Sequence, residues 1–544
     1  MQKNISAKNK HSLFLKFISV IALFMVVYAM APLLSRAYIP THDGEYHIIR
    51  IVEFSRMLSQ GNIIPRWAPT LNSGYGTPIF EFHYPLPNYI GSCIRLFTQD
   101  AVYAFQISMA IGYILAGFAS FLWLSSIFGS FYGLIGALIG AYVPYWFVDI
   151  YVRGSIGEVW AIAFLFFVLW SVEKKQMIMC SIFFALLILS HNILAAAFSS
   201  FLFVYALLRN RQMIIFLVAG IGVSSFFWFP ALLEQQYVVG LNTVNFREHF
   251  VALYELLIPS WGTAFSGPQF TGNKISFQIG IVPLIIFFGS FLSYMKKTHE
   301  KFKVLTSAMF IMCVISIFFM LPVSRGIWEL CKPLQLIQYP WRFLSVFIPA
   351  TAYLSAYWTS SMKKYIGIIC AVMAVIFTFS YTQKIQYAPR NETYYLARSN
   401  FTDGTSSMGN SFSTIWTGWK EKRPESEISV QNGRVTRKNI WVYLRKDFTV
   451  QMYNGGFVAP NILYFPGWRA RVDGRIVPIA YQEDGTIRFL VPAGVHEISI
   501  RYTDTAPKII GNALTIASLA AIAVYAILKP YAYRDKRFTP LKRS

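Results

Sequence analysis

Apolar runs long enough to cross a lipid bilayer recur along the first 385 residues, and one more lies near the far end of the chain. A hydrocarbon core about 30 Å thick needs roughly 20 consecutive apolar residues in helical form. The runs fall near 13–34, 101–127, 131–148, 157–172, 176–190, 193–208, 213–233, 277–294, 304–321, 343–361, 365–383 and 508–528. Those within 157–210 are short and closely spaced. Hydrophobic residues make up 55% of the chain and charged residues 13%, against about 25% charged in a soluble protein. A soluble chain of this length would lack the charge to cover its core. A soluble enzyme, a disordered chain and a fibre are therefore excluded. The reading is a polytopic α-helical membrane protein of about 12 spans. The first run follows a basic N-terminus, but its apolar core is too long for a signal h-region and reads as a retained anchor.

Orientation follows from where Lys and Arg fall. With the N-terminus placed in the cytoplasm, the inner segments carry 20 basic and 3 acidic residues, from Lys3, Lys8, Lys10 and Lys16 to Lys536, Arg537, Lys542 and Arg543. The outer loops of the first eleven spans are balanced. Most of the +23 net charge is thus a topological address rather than a nucleic-acid footprint. The expectation is a cytoplasmic-membrane protein with both termini inside and its working face outside. Its domains would be 1–383, with a large first outer loop over 35–100, then an extracytoplasmic β-rich unit over 384–507, a last span over 508–528 and a basic tail over 529–544.

Within 384–507 charge rises and alternation of period two appears, in Trp441-Val442-Tyr443-Leu444-Arg445, Trp468–Val472, Thr486–Val491 and His496–Tyr502. Asn432-Gly433, Asp473-Gly474, Asp484-Gly485 and Pro492-Ala493-Gly494 separate these runs as turns. The pattern predicts a β-sandwich tethered before the last span. The Ser/Thr/Gly/Asn-rich stretch 399–414 reads as a loop, and Asn391-Glu392-Thr393 and Asn400-Phe401-Thr402 fit a short glycosylation acceptor pattern. Cys180, Cys313 and Cys370 lie in apolar runs and read as small core residues, whereas Cys93 and Cys331 fall on the outer side and are a candidate pair. No CxxC, zinc-finger, P-loop or GxGxxG pattern occurs, which argues against an ATP-driven pump and a nucleotide-binding enzyme.

The first outer loop holds the densest chemistry, opening with Thr41-His42-Asp43-Gly44-Glu45-Tyr46-His47-Ile48-Ile49-Arg50. The segment up to Gln60 reads as an amphipathic helix lying on the membrane surface. In a helix, positions 43, 47 and 50 share a face. A carboxylate there can take a proton from a hydroxyl or hold a metal, and a guanidinium suits a phosphate. The plainer alternative makes Asp43 an N-cap and pairs Arg50 with Glu53. Further on, Pro65-Arg66-Trp67, Gly74-Tyr75-Gly76 and Phe80–Pro87 supply rigid turns and aromatic faces. Glu81 and His83 join His42, Asp43 and His47 as ligands for a divalent metal, the one cofactor these residues suggest.

Elsewhere on the outer side, Arg153 and Glu158 flank a span start, and read either as functional groups or as an interfacial pair. His191 reads as a site residue or a helix cap. Gln338-Tyr339-Pro340-Trp341-Arg342 precedes another span, with Arg342 at headgroup depth as a phosphate ligand or an interfacial anchor.

The run Asp43-Gly44-x-Tyr46-His47-x-x-Arg50, then Gly61, Pro65-Arg66-Trp67, Gly74-Tyr75-Gly76 and Tyr84-Pro85-x-Pro87, resembles the bacterial integral-membrane family named 6-pyruvoyl-tetrahydropterin-synthase-related. Arg153…Glu158, His191-Asn192 and Gln338-x-Pro340-Trp341-Arg342 match its later motifs, and Tyr464–Trp468 with Pro492-Ala493-Gly494-x-His496 is similar to the outer β-domain of related large membrane proteins. The family name does not carry the function, because nothing here resembles the small soluble synthase. The family in turn resembles the GT-C superfamily of membrane glycosyltransferases. That resemblance implies a GT-C-like fold, a sugar donor on a polyprenyl phosphate, and a glycan or lipid-linked acceptor used on the outer face. It makes Asp43 the catalytic base or a ligand holder, supported by His47 and Glu158. Arg50, Arg66, Arg153, His191 and Arg342 become substrate and phosphate binders, and the β-unit an acceptor platform.

Two other classes remain open at this point. A flippase of lipid-linked glycans would need polar residues deep within spans, reachable from both sides. A non-catalytic envelope scaffold would depend on 384–507 and not on Asp43.

Overall fold

A computed structural model describes residues 16–240, 244–270, 272–296, 300–397, 411–417, 420, 422 and 424–535. Six helices are long and apolar enough to cross a membrane: Ala101–Phe128, Ile156–Glu173, Asn192–Arg209, Glu300–Met320, Lys364–Gln383 and Ala506–Leu528. Two further pairs qualify only when joined across a bend, Ser130–Ala141 with Pro144–Arg153 at 46° and Met213–Val223 with Ser225–Tyr237 at 64°. The chain is therefore a helical polytopic membrane protein. Each of the other expected runs is helical but short, as in Lys16–Tyr28, Met177–Ser190, Ile281–Met295 and Phe347–Ser360. Length and apolarity thus identify six to eight crossings among the described residues, fewer than about twelve. The bends have local causes. Pro144 starts a new helix after Tyr142-Val143, and at the second bend the Ser224 and Ser225 hydroxyls donate back to the Gly220 and Ile221 carbonyls.

The helices pack through small residues. A Cβ placed on Gly136 would stand 2.6 Å from the Ala352 carbonyl oxygen, so Ser130–Ala141 and Phe347–Ser360 approach backbone to backbone.

Eight strands follow: β1 (Ser429–Val430), β2 (Gly433–Val442), β3 (Arg445–Met452), β4 (Gly456–Ala459), β5 (Trp468–Val472), β6 (Arg475–Val477), β7 (Phe489–Val491) and β8 (Gly494–Tyr502). They form two antiparallel sheets, β1-β4-β7 and β2-β3-β8-β5-β6. Alternate residues point inward: Phe448, Val450, Met452, Trp468, Ala470, Ile498 and Ile500 are buried, with Val458, Phe489 and Val491 from the smaller sheet. The expected turns recur, with Asn432 and Asp473 at φ 56° and 49°. One expectation fails. Trp441–Arg445 is not a single strand, because Tyr443-Leu444 forms the β2–β3 turn. All five cysteines are free, so Cys93 and Cys331 are not paired. Asn391 is exposed and its side chain accepts the Tyr394 N–H at 3.1 Å. The second acceptor pattern at Asn400, most of the 399–414 loop, Lys3, Lys8 and Lys10, and the tail beyond 535 lie outside the described residues.

Replacing Gly136 by Val forces the two helices apart. An overpacking cost of about 1–3 kcal/mol follows, read as a lower thermal midpoint of the detergent-purified protein. An unchanged midpoint would remove this contact from the packing account.

Candidate functional site

The helix Gly44–Ser59 begins one residue after Asp43. Asp43 takes the N-cap position yet does not cap: its φ and ψ are −108° and −6°, and its side chain makes no hydrogen bond there. The backbone of this turn is pinned from another element. His42 donates its N–H to the Val152 carbonyl at 2.9 Å, and Asp43 donates to the Arg153 carbonyl at 2.8 Å. Arg153 ends a π-helical turn, Asp149–Arg153, closed by Gly154 in the left-handed region at φ 68°. A Cβ on Gly154 would also collide with Thr41.

The helix is not a surface helix. His47, Ile48, Ile49, Arg50, Ile51, Val52, Glu53 and Phe54 are all buried. Arg50 and Glu53 are met in burial by tertiary partners. Arg50 does not pair with Glu53. Its Nη1 lies 2.8 Å from His83 Nε2, while Glu53 accepts from Thr70 Oγ1 at 2.7 Å, from the Thr70 N–H at 3.0 Å and from Arg56.

The turn, this helix and several later segments line a cavity of about 220 Å³. Asp43, Tyr46, His47 and Arg50 line it, as do His42, His83 and Tyr84 and, from later segments, Arg153, His191, Tyr339 and Arg342. The Asp43 carboxylate faces this space with no ion pair among the described residues. Phe265 and Ser266, from a loop that sequence reasoning passed over, also reach the cavity. Thr263 of the same loop accepts a 2.8 Å hydrogen bond from His42 Nε2. The loop carries no motif that would have marked it, and its Lys274 is paired with Glu255.

Behind the cavity lies Glu158, fully buried. Its Oε1 sits 2.7 Å from Arg153 Nη2 and 3.3 Å from Arg342 Nε, and its Oε2 accepts from Tyr145 at 3.0 Å. Arg153 Nη1 also reaches Asp149. His191 Nε2 is 4.0 Å from Glu158, and its Nδ1 caps the next helix by accepting the Leu194 N–H at 3.2 Å. Glu158 does not line the cavity and meets Arg153 and Arg342 behind it. Arg342 Nη1 donates to Ile337 and Gln338, and Nη2 makes no hydrogen bond among the described residues. Trp341 packs its ring 4.9 Å from the Arg153 guanidinium.

The histidines of the first outer loop are neutral. Burial, and then the Arg50 charge, hold His47 and His83 well below the usual imidazole value. Burial also lowers His42. A neutral His83 can accept the Arg50 proton at Nε2, as the 2.8 Å contact requires.

The expected metal set does not assemble. No group of three or more His, Cys, Asp or Glu side chains with metal-binding geometry exists among the described residues. His42 and Asp43 line the cavity and His83 faces Arg50, but Glu81 belongs to a separate buried cluster. Arg66, expected to bind phosphate, is there too: its Nη1 lies 3.2 Å from Glu81 and its Nη2 donates to the Phe226 carbonyl at 2.7 Å. Lys508 completes the cluster, fully buried between Glu81 at 3.6 Å and Glu234 at 3.3 Å, and donating to Tyr502 at 2.7 Å. Burial raises the Glu81 carboxyl. This cluster ties the first outer loop to the last strand and the last span.

The fold and cavity are those of a polytopic membrane protein with an ionised pocket beside its first loop. A model of the 6-pyruvoyl-tetrahydropterin synthase related domain, a membrane-protein family, matches residues 80–388. The match covers more than half of the chain, and the chain belongs to this family. It includes Arg153, His191 and Arg342 but starts after Asp43. An uncharacterized protein of Lactococcus lactis subsp. cremoris is 23% identical over 327 residues, 54% of this chain and 52% of the relative. The chain thus spans about half the length of that curated relative.

Among solved structures, ArnT from Cupriavidus metallidurans bound to undecaprenyl phosphate is 14% identical, with a TM-score of 0.35, over 66% of this chain and 63% of that one. The Archaeoglobus fulgidus oligosaccharyltransferase in its apo form is 13% identical, with a TM-score of 0.39, over 76% and 61%. The arabinofuranosyltransferase AftD from Mycobacteria is 12% identical, with a TM-score of 0.42, over 68% and 26%.

Two outcomes follow from the buried charges. Lys508→Met leaves Glu81 and Glu234 without their shared cation, at a cost of about 3–5 kcal/mol. It should lower the thermal midpoint more than Lys438→Met, which removes an exposed ion pair on β2. Equal midpoints would contradict the cluster's structural role. His47 and His83 bind protons less readily in the folded chain than in the unfolded one. The stability they contribute is complete above about pH 6.5 and is lost as pH falls below it towards their lowered folded values. A His47→Asn variant should show a smaller loss of midpoint between neutral and mildly acidic pH than the parent, and an identical slope would overturn the assignment.

Proposed function

We propose that this chain is a membrane glycosyltransferase. It moves a sugar from a polyprenyl-phosphate donor to an envelope glycan or lipid-linked acceptor at the outer face of the cytoplasmic membrane, with both termini inside. One observation carries the reading: the unpaired Asp43 carboxylate lines the same cavity as Arg50, Arg153 and Arg342. A carboxylate left free beside three guanidiniums loses favourable pairing unless it has work to do, and the chemistry of glycosyl transfer supplies that work.

In the proposed step Asp43 takes the proton of an acceptor hydroxyl. The acceptor oxygen forms a bond to the anomeric carbon as the bond from that carbon to the phosphate oxygen breaks. The electron pair leaves on the phosphate, where arginines meet the developing charge. Arg342, with Nη2 uncommitted, and Arg50 are the main phosphate ligands. Arg153 supplies field through its fixed position. His47, neutral and buried, shapes the wall beside Asp43 and carries no charge. Glu158, Tyr145 and Asp149 hold the arginines before substrate arrives, so little reorganisation is needed in the reaction. The donor already carries an activated sugar, so no nucleotide-binding fold is required. The positive-inside pattern supports the outer placement.

Asp43→Asn keeps size and polarity but removes the base. In reconstituted protein it should lower sugar transfer from a radiolabelled polyprenyl-phosphate donor by about 10²–10⁴-fold, with donor binding retained. Parent-level transfer by this variant would sink the proposal.

A further inference from the structure

The exposed face of the five-stranded sheet carries a charge arrangement that its own fold does not balance. In the ladder, Arg501 on β8 stands directly opposite Arg445 on β3 and directly opposite Arg469 on β5. Three guanidiniums therefore lie in one row across adjacent strands, about 4.8 Å apart at the backbone. Like charges opposite each other destabilise a sheet. Arg471 follows one step along the same face, opposite Ser499. Asp447 is the carboxylate among them, 3.5 Å from Arg501 and paired with Arg445. Arg469 and Arg471 are exposed and have no ion pair among the described residues. Four cations thus share one anion.

The position of the row supplies its partner. Arg501 stands just before Ala506, where the last apolar helix starts. At the neighbouring β2–β3 turn, the Tyr443 N–H donates to Gln60 Oε1 at 3.2 Å. Close after Gln60 in the chain, Ile63 is 78% exposed and Ile64 39%. Exposed isoleucines beside a span start suit the hydrocarbon edge of a bilayer, and a guanidinium row beside them suits its phosphates. The other end of the same strands, with Thr449 opposite Glu497, bears no such row. That other end carries Arg434 and Arg437 with Glu497, a mixed set, whereas the four arginines with one anion lie at the end that continues into the membrane helix.

We infer that Arg445, Arg469 and Arg501, with Arg471, form a docking surface for the phosphates of anionic phospholipids that holds the β-sheet region against the bilayer. This surface is separate from the Asp43 cavity and does not depend on the proposed transfer reaction.

The test uses the full chain in nanodiscs of phosphatidylcholine alone and of phosphatidylcholine mixed with phosphatidylglycerol. Amide exchange is followed on β3, β5 and β8. The parent should exchange several-fold more slowly on these strands in the anionic discs. The variant Arg445→Gln/Arg469→Gln/Arg501→Gln should lose that difference while β4 exchanges as in the parent. The matching triple Lys variant, which keeps the charge, should retain most of it. No lipid dependence in the parent, or a dependence that persists in the Gln variant, overturns the inference. So does equal protection by inorganic phosphate added to phosphatidylcholine discs, which would make the surface a site for free anions. A Gln variant whose β4 exchange also rises, together with a Lys variant that has lost the lipid response, counts against a charge-based surface.

Discussion

The candidate site depends on one buried carboxylate. Glu158 sits in the first turn of the span Ile156–Glu173 with no exposure, bonded to Arg153 and Tyr145 and ion-paired with Arg342 at 3.3 Å. Two guanidiniums so near each other in a dry setting would repel and lose hydration. Glu158 and Asp149 offset both costs and fix where each arginine points. They also join the π-helical turn and the span start that follows it to the 3₁₀ segment Pro340–Val346, remote in sequence. The cavity is the space left when those stretches are held together and the first outer loop is laid across them.

The loop is held by a second set of buried charges. Arg66, Glu81, Glu234 and Lys508 form a neutral group that links it to the bent pair Met213–Val223 and Ser225–Tyr237 and to the last span. Glu81 lies two residues from His83, which meets Arg50 in the cavity wall. A displacement of the sheet region or last helix would therefore reach the cavity through a short path of packed, charged contacts. This explains physically why a membrane protein keeps a lysine at the top of an apolar helix: its ammonium is neutralised by protein carboxylates rather than by water.

The sequence made the apolar helices legible because twenty-residue runs have few other uses. The bends were harder to read. Val143-Pro144 and Ser224 interrupt helices without interrupting apolarity, so each joined run looked like one straight span. Asp43, His47, Arg50, Arg153, His191 and Arg342 could be singled out because ionisable residues beside apolar runs are costly and stand out. Arg66 and Glu81 stood out for the same reason, but their place in the Lys508 cluster was not legible, since only the tertiary fold brings Lys508 to them across more than four hundred residues. Helix Gly44–Ser59 read as a surface helix because Thr70 and His83, which satisfy Glu53 and Arg50, lie on separate turns. The Tyr443-Leu444 turn has neither Gly nor Asn, so alternation ran through it unmarked.

The central claim is that the Asp43 cavity receives a lipid-linked phosphate. The direct measurement is a cryo-electron-microscopy structure of the reconstituted chain with a non-hydrolysable polyprenyl-phosphate sugar. The account predicts phosphate density within hydrogen-bond distance of Arg50 and Arg342, with the sugar carbon that bears the phosphate facing Asp43. Phosphate bound at another place on the outer side, with the Asp43 cavity closed to the lipid, would contradict it.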